Sequence, residues 1–183
     1  YHGLAGHLLL PGISHVLRVR VIADASYRIE SAREQLDLGH AEALSYIEKV
    51  DRERRQWVRF LFEVEWDDAS LYDLVLNLSR MSFGTATETV VRLATQDDFN
   101  ATADSRRAMQ NLTLASRVSA KLATHPRTRE ITLKVVADGG VVTITGETRL
   151  EPANETIQAV ARQVDGVREV RSEVAFIPFV AST

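Results

Sequence analysis

A tight hairpin near the carboxyl end is the feature of this chain that most limits its fold. Apolar and polar side chains alternate along residues 131–136, as they do in a half-buried strand. Asp138-Gly139-Gly140 then supplies the positive-φ positions of a short turn, and residues 142–146 return as a second strand. Two antiparallel strands with one apolar face need a covering layer, so we expect helices nearby in the sequence.

Amphipathic helices flank this hairpin on both sides. Apolar residues recur at helical spacing over 112–122 and again over 151–164, and alternation returns over 167–177. The order is helix, strand, strand, helix, strand. It predicts a small α+β unit at 111–177 in which both helices pack on one face of the sheet.

The first 95 residues have a different pattern, which predicts an α/β unit. Strands and helices alternate there in the order expected for part of a parallel sheet. Polar residues 96–110 follow as a predicted linker, and 178–183 form a tail. The predicted elements are strands at His7–Leu10, Val16–Ala23 and Leu71–Asn77, a helix from Asp24 or Ser26 to about Leu38 that Gly39 stops, a helix from about His40 to Phe62, and a helix from the cap Ser82 to about Ala94.

Composition excludes several classes of function. The net charge of −3 argues against a dedicated nucleic-acid binder, and the absence of cysteine excludes thiol catalysis and cysteine-based zinc sites. The five histidines are too scattered for a metal-ligand set, so we expect no metal site of this kind. No apolar run is long enough for a transmembrane segment and no signal peptide is evident, so we expect a cytoplasmic protein. The chain begins with Tyr rather than Met, which favours a fragment of a longer protein.

Three segments near the carboxyl end form a joint pattern: Ile131-x-Leu133-x-Val135, the run from Gly140 to Gly146, and Val164-Asp165-Gly166-Val167-x-x-Val170. Glycines close the turns of this pattern, and we expect Gly140, Gly146 and Gly166 to be structural because such turns tolerate no side chain. With these segments, residues 111–177 resemble the BON domain. The resemblance implies a small binding module, associated with phospholipid or a small ligand, that has no catalytic residue and no cofactor.

The first 95 residues contain a second set of segments that belong together: Gly3-Leu4-Ala5-Gly6, Val16–Ala23, Arg28, Asp51-Arg52-Glu53-Arg54-Arg55, and Asp73–Asn77 with the residues up to Ser82. With these segments, residues 2–95 resemble the C-terminal half of a cytidylate kinase-like domain. The resemblance implies a partial P-loop kinase-like fold from a bacterial transferase, with nucleoside monophosphate and ATP as ligands and ATP with Mg as cofactors of the active parent protein. It places nucleotide-binding residues at Gly3 and Gly6.

The arginine-rich segment is the candidate catalytic lid. Phosphoryl transfer spreads negative charge over oxygens, which guanidinium groups can stabilise. Asp51, Arg54 and Arg55 share one helical face, so Asp51 could orient or pair the arginines while one of them reaches phosphate. The same sequence is also typical of a solvated helix face with local ion pairs. Trp57 and Trp66 flank the segment, and packing is a simpler role for them than base stacking.

Two hypotheses about function remain open. The first is a nucleoside monophosphate kinase-like, nucleotide-binding region joined to a BON module. The alternative is a non-catalytic binding or scaffold protein, in which a degenerate kinase fold carries a BON domain for phospholipid or ligand attachment. Leu4 stands where the family has arginine, and the sequence contains no Gly-x-x-x-x-Gly-Lys-Ser/Thr loop to hold donor phosphates. We therefore expect this chain alone to be inactive as an enzyme.

Overall fold

The computed structural model describes residues 3, 5–148 and 153–177, and Leu4 and the predicted tail lie outside this description. The chain divides into two compact units, Tyr1–Ala101 and Thr102–Thr183. This boundary falls within the segment predicted as a linker. The helices are α1 (Ala25–Leu36), α2 (His40–Phe62), α3 (Phe83–Ala94), α4 (Ala103–Thr124) and α5 (Ala153–Ala161), and the strands are β1 (Val19–Ile22), β2 (Leu74–Asn77), β3 (Leu133–Asp138), β4 (Val141–Thr148) and β5 (Glu169–Phe176).

The first unit contains a small parallel sheet. Strands β1 and β2 pair in parallel from Val19 opposite Leu74 to Ile22 opposite Asn77. Parallel strands need a long crossover, and the helical hairpin of α1 and α2 lies between them in the sequence. The predicted parallel pairing is therefore confirmed. Buried apolar side chains come from every helix and from β2: Ile29, Ala43, Val58, Leu76 and Ala86, together with Ile13 from the preceding loop.

Helices α2 and α3 lie where the sequence predicts them. Ser82 caps α3 by accepting a hydrogen bond from the Thr85 amide at 3.1 Å. Gly39, predicted to stop α1, instead precedes α2 as its N-cap, and its amide donates to the Glu42 carboxylate at 2.8 Å. Asp37 ends α1 with a φ of 53°, a conformation that Asp tolerates better than most residues.

All three strand predictions in the first unit need correction, and the strand predicted over Val16–Ala23 covers only Val19–Ile22. Residues 7–10 are not a strand, because Gly6–Leu9 forms a 3₁₀ turn in which the Leu8 amide donates to the Ala5 carbonyl at 3.0 Å. The strand predicted from Leu71 begins only at Leu74. A 3₁₀ turn over 69–71, capped by an aspartate side chain, occupies the start of the predicted range.

The second unit contains a three-stranded sheet covered by α4 and α5. Strand β3 pairs antiparallel with β4, and β5 pairs in parallel with β4 on its other side. The hairpin turn lies where the sequence predicts it, with positive φ at Gly139 and Gly140. The core combines apolar residues from both helices and the inner sheet face, among them Val118, Leu122, Val142, Ile144, Ile157, Val160 and Val174.

The helices of the second unit differ from the prediction: α4 in where it begins, and α5 in its end, which lies at Ala161 rather than at Val164. Helix α4 begins at Ala103, after the cap Thr102, so residues 103–110 of the predicted linker are helical. Polar residues occupy its exposed first turns, which hides the helical periodicity there. Glu151, the predicted start of α5, lies outside the described residues. None of the described helices combines the length and the apolar character that a membrane span requires.

Candidate functional site

A cleft of about 540 Å³ opens beside β1 in the first unit. It extends to Ala23 and Leu78, the residues that directly follow β1 and β2. In open parallel sheets, ligands bind outside the carboxyl ends of the strands, so this position favours a binding site. Gly3 is one of its lining residues, and the polar and aromatic ones are His7, Arg20, Arg28, Asp51, Arg54, Trp66 and Tyr72.

Arg28 and Asp51 form a bidentate ion pair in the cleft. Both terminal guanidinium nitrogens of Arg28 donate to the two carboxylate oxygens of Asp51, each at 2.7 Å. These hydrogen bonds, which the Asp51 carboxylate accepts, raise the pKa of Arg28 above its ordinary value. Because Arg28 lies on α1 and Asp51 on α2, the pair ties the helical hairpin together. The carboxylate also neutralises one of the positive charges of the cleft.

Arg54 enters the same cleft one helical turn after Asp51. Its side chain is half-buried, and within the described part of the chain no carboxylate lies at ion-pair distance from it. Its neighbour Arg55 is exposed and does not line the cleft. The structure therefore separates the two arginines of the predicted lid, since only Arg54 can reach a ligand bound there.

Arg20 projects from β1 into the cleft between two aromatic rings. Its guanidinium carbon lies 5.3 Å from the Trp66 ring centroid and 5.6 Å from the Tyr72 ring centroid. One guanidinium nitrogen donates to the Trp66 carbonyl at 3.3 Å, and the Tyr72 hydroxyl donates to the same carbonyl at 2.6 Å. These contacts fix the cation in place without neutralising it, because neither an aromatic face nor a carbonyl carries a net charge.

The His7 ring packs on Tyr72, one of the two aromatic residues beside Arg20. Its ring centroid lies 4.7 Å from that of Tyr72. Burial first, and then the positive charge of Arg18, lower the pKa of His7 below its ordinary value of 6.5. The lowered pKa favours the neutral imidazole, which adds no charge to the cleft.

The structure brings together part of the predicted site. Gly3, Asp51 and Arg54 all line the cleft, whereas Gly6 and Arg55 do not. Asp51 pairs with Arg28 rather than with the arginines on its own helix. Arg20 was missed as a site residue. The sequence feature that could have indicated it is a charged side chain within a strand that ends at the edge of the sheet where ligands bind.

The charges of the cleft suit an anion. Three guanidinium groups face one carboxylate, which leaves an excess of two positive charges. Guanidinium groups bind phosphate in a bidentate manner, and a half-buried cleft strengthens that attraction relative to open water. Among the residues that the structure describes, no group of three His, Asp or Glu side chains is arranged to hold a metal ion.

A second groove, of about 610 Å³, lies within the second unit. It runs along the first half of α4 beside the hairpin turn. The Asn111 side chain accepts from the Gly139 amide at 2.9 Å, and Arg168 donates to the Gly139 carbonyl. Arg117 lies 3.8 Å from an Asp165 carboxylate oxygen. Three arginines, Arg107, Arg117 and Arg168, and one carboxylate, Asp165, line this groove, which is the same balance of charges as in the first cleft.

The three glycines predicted to be structural lie in the second unit where neighbouring atoms or a positive φ leave no place for a side chain. Gly140 has a φ of +91°, and a Cβ there would lie 3.1 Å from the Gly166 carbonyl oxygen. Gly166 itself has a φ of +97° between α5 and β5. At Gly146, a Cβ would lie 2.5 Å from the Thr132 carbonyl oxygen. A side chain at any of the three would strain the backbone or collide with it.

Comparisons with known proteins identify both parts of the chain. Residues 1–80 match the model of the cytidylate kinase-like family, and residues 110–178 match the model of the BON domain. The chain thus contains a cytidylate kinase-like segment followed by a BON domain, in the predicted order. None of the curated proteins matches it. A solved structure, an uncharacterized protein from Eubacterium ventriosum, is 20% identical with a TM-score of 0.41. The match covers 43% of this chain and 44% of that one, so the chain spans less than half of that protein.

Proposed function

We propose that residues 1–95 form the nucleoside monophosphate side of a nucleotide kinase-like domain. The observation that carries the proposal is the cleft that runs along β1 and reaches the residues after β1 and β2, where three arginines face a single carboxylate. A phosphate monoester carries up to two negative charges near pH 7, which complements the local excess of two positive charges. The family match over residues 1–80 supports a nucleotide as the ligand that bears this phosphate.

In this proposal the helical hairpin of α1 and α2 is the lid of the cleft. Helix α2 presents Asp51 and Arg54 on one face, and α1 presents Arg28 opposite them. In this proposal Arg54 contacts the phosphate directly. Asp51 orients Arg28, because a bidentate pair fixes the plane of the guanidinium group. Arg55, the alternative to Arg54 as the predicted phosphate ligand, has no part in this arrangement because its side chain does not line the cleft.

Phosphoryl transfer also needs groups that hold the donor phosphates. The 183 residues contain no glycine-rich loop with its lysine, so this chain would bind an acceptor nucleotide without turning over ATP. In a parent protein with such a loop, ATP and Mg would be the cofactors. The residues of this cleft would then orient the acceptor and stabilise charge on its phosphate.

The alternative is a binding protein whose kinase-like part has lost its activity. Leu4 in place of the family's arginine favours this alternative, because it removes one phosphate contact. The BON domain would then carry the function by attaching the protein to phospholipid or to a small ligand. The groove beside the hairpin turn, with Arg107, Arg117 and Arg168 in its lining, is the candidate place for an anionic headgroup.

Calorimetric titration of the full chain distinguishes these functions. We expect cytidine monophosphate to bind saturably, and ATP and anionic phospholipid vesicles are titrated in parallel. Arg54→Gln should weaken binding about tenfold, equivalent to about 1.4 kcal/mol, because it removes a charge-assisted hydrogen bond. Arg52→Gln is the matched control, since it removes the same charge from an exposed position of α2.

The results separate the two functions clearly. Loss of nucleotide binding in Arg54→Gln at an unchanged thermal midpoint would support the kinase-like site, and Arg55→Gln should bind as the parent protein does. A parent protein that ignores the nucleotide but responds to vesicles would favour the alternative. Equal weakening by Arg52→Gln and Arg54→Gln would mean that only overall charge matters, which would contradict a specific phosphate ligand.

A further inference from the structure

We infer that Arg20 is an anion-binding residue of the cleft, and that Trp66 and Tyr72 are positioning residues that hold it ready. The inference rests on the proposed function, because it assigns a further side chain, beside Arg54, to the binding of the same phosphate. Neither the sequence pattern nor the family match singles out this arginine. Three independent observations carry it: its confinement, its unpaired charge and its place in the cleft.

Trp66 and Tyr72 confine the side chain of Arg20. An arginine side chain on a solvated strand face samples many rotamers, and each must be given up when a ligand binds. Arg20 has lost this freedom already, since its guanidinium group lies about equally far from the Trp66 and Tyr72 ring centroids. The Trp66 carbonyl accepts from both Arg20 and the Tyr72 hydroxyl, which ties the three residues into one unit. A ligand therefore meets a cation that is already in position.

The charge of Arg20 is not compensated by a carboxylate. On the same strand segment, Arg18 lies 3.7 Å from an Asp73 carboxylate oxygen, and its backbone amide donates to that oxygen at 2.7 Å. Arg28 is neutralised by Asp51. For Arg20, the described residues supply one carbonyl acceptor and no carboxylate at ion-pair distance. Its remaining guanidinium donors are available to an anion.

The position of Arg20 decides between a ligand-binding role and a structural one. A purely structural arginine would link β1 to the loop that carries Trp66 and would have no reason to face the cleft. Arg20 does line the cleft, which it shares with Arg28 and Arg54. Three guanidinium groups around one cavity can surround the oxygens of a single phosphate group.

Tryptophan fluorescence provides a direct test, because the chain has two tryptophans and only Trp66 lines the cleft. Trp57→Phe removes the other one, which lies on α2 with a half-exposed ring, and so makes Trp66 the sole reporter. This protein is titrated with cytidine monophosphate and, separately, with inorganic phosphate at constant ionic strength. We expect a saturable change in Trp66 emission, since an anion that binds Arg20 alters the charge against the indole ring.

Substitutions of Arg20 then separate charge from packing. Arg20→Gln should weaken nucleotide binding about tenfold and should make binding less sensitive to salt, because one ligand-facing charge is gone. Arg20→Lys should restore part of the affinity, since it keeps the charge but not the planar stacking. Tyr72→Phe should weaken binding a few-fold with the salt sensitivity unchanged, because it removes only the hydroxyl that shares the Trp66 carbonyl.

The outcomes distinguish this inference from the proposed function. If Arg20→Gln binds as tightly as the parent while Arg54→Gln does not, Arg20 is structural and the inference is wrong, but the phosphate site stands. If the parent binds neither nucleotide nor phosphate, the proposed function fails and the inference fails with it. If Arg20→Gln does not fold, Arg20→Lys is the variant that tests the inference. A folded Arg20→Lys protein with the affinity and salt dependence of the parent would show that Trp66 and Tyr72 are not needed to position the charge, and this part of the inference would be wrong.

Discussion

Substitution of Gly146 by alanine is the sharpest test of the second unit. Gly146 lies in β4 opposite Leu133 of β3. A Cβ built there would lie 2.5 Å from the Thr132 carbonyl oxygen and 3.1 Å from a Leu133 methyl carbon. The first of these atoms belongs to the backbone that leads into β3. The collision therefore cannot be relieved by a side-chain rotation, and one of the two strands must move.

The expected cost follows from this geometry. Adding a methyl group to a well-packed site typically costs about 1–3 kcal/mol, and a backbone obstacle favours the upper part of that range. Replacing glycine also lowers the conformational entropy of the unfolded chain, which offsets about 0.4–1 kcal/mol. We therefore expect Gly146→Ala to lower the free energy of unfolding by about 2 kcal/mol. For a domain of this size, that corresponds to roughly 8–16 °C in the thermal midpoint.

Urea unfolding followed by circular dichroism measures this change, and hydrogen exchange of the β4 amides assigns it to the second unit. Gly139→Asn is the matched control in the same hairpin, because asparagine tolerates its φ of +50° and only the flexible end of Arg168 lies nearby, at 3.4 Å. The control should change stability by less than about 1 kcal/mol. If Gly146→Ala is as stable as the parent, the register of β3 against β4 described above is wrong.

Two further predictions concern buried polar groups. Thr128 is 1% exposed and its hydroxyl donates to the Leu122 carbonyl at 2.6 Å, so Thr128→Val should destabilise the second unit by about 1–2 kcal/mol in urea unfolding, whereas Thr128→Ser, which keeps the donor, should lose less. The pKa of His7 is lowered by burial and by the charge of Arg18, so the imidazole binds a proton more readily in the unfolded chain than in the folded one. The free energy of unfolding of the first unit should therefore be unaffected by His7 above pH 6.5 and should decrease as the pH falls below 6.5. An NMR titration that places the pKa of His7 at or above 6.5 would contradict this expectation.

The sequence was most informative where local interactions decide the structure. The cap Ser82 and the amphipathic pattern after it placed α3 correctly, and the glycine turn of the hairpin placed β3 and β4. It failed where two turn signals compete. Asp37 and Gly39 can both end a helix, and the structure uses the aspartate for this purpose and the glycine to begin α2. Sequence spacing alone does not rank these two solutions.

The candidate site was less accessible to sequence reasoning because its contacts are not local. Helical spacing pairs Asp51 with residues three or four positions away, which led to Arg54 and Arg55. In the structure, Asp51 instead pairs with Arg28, 23 positions away on another helix. Arg20 likewise meets Trp66 from 46 positions away. Such partners become visible only when the helical hairpin and the parallel strands are in place.

The same reasoning explains why total charge was a poor guide to the ligand. Residues 1–95 contain 11 basic and 14 acidic residues, a net charge of −3, although their cleft has three arginines and one carboxylate and therefore a net charge of +2. Electrostatic attraction to a bound anion depends on the charges within a few ångströms in a partly desolvated cavity, whereas distant surface carboxylates are screened by salt. An acidic unit can therefore bind phosphate. The proposed site depends on Arg20, Arg28, Asp51 and Arg54. The substitutions of Arg20 and Arg54 test it at two of these positions rather than at the level of composition.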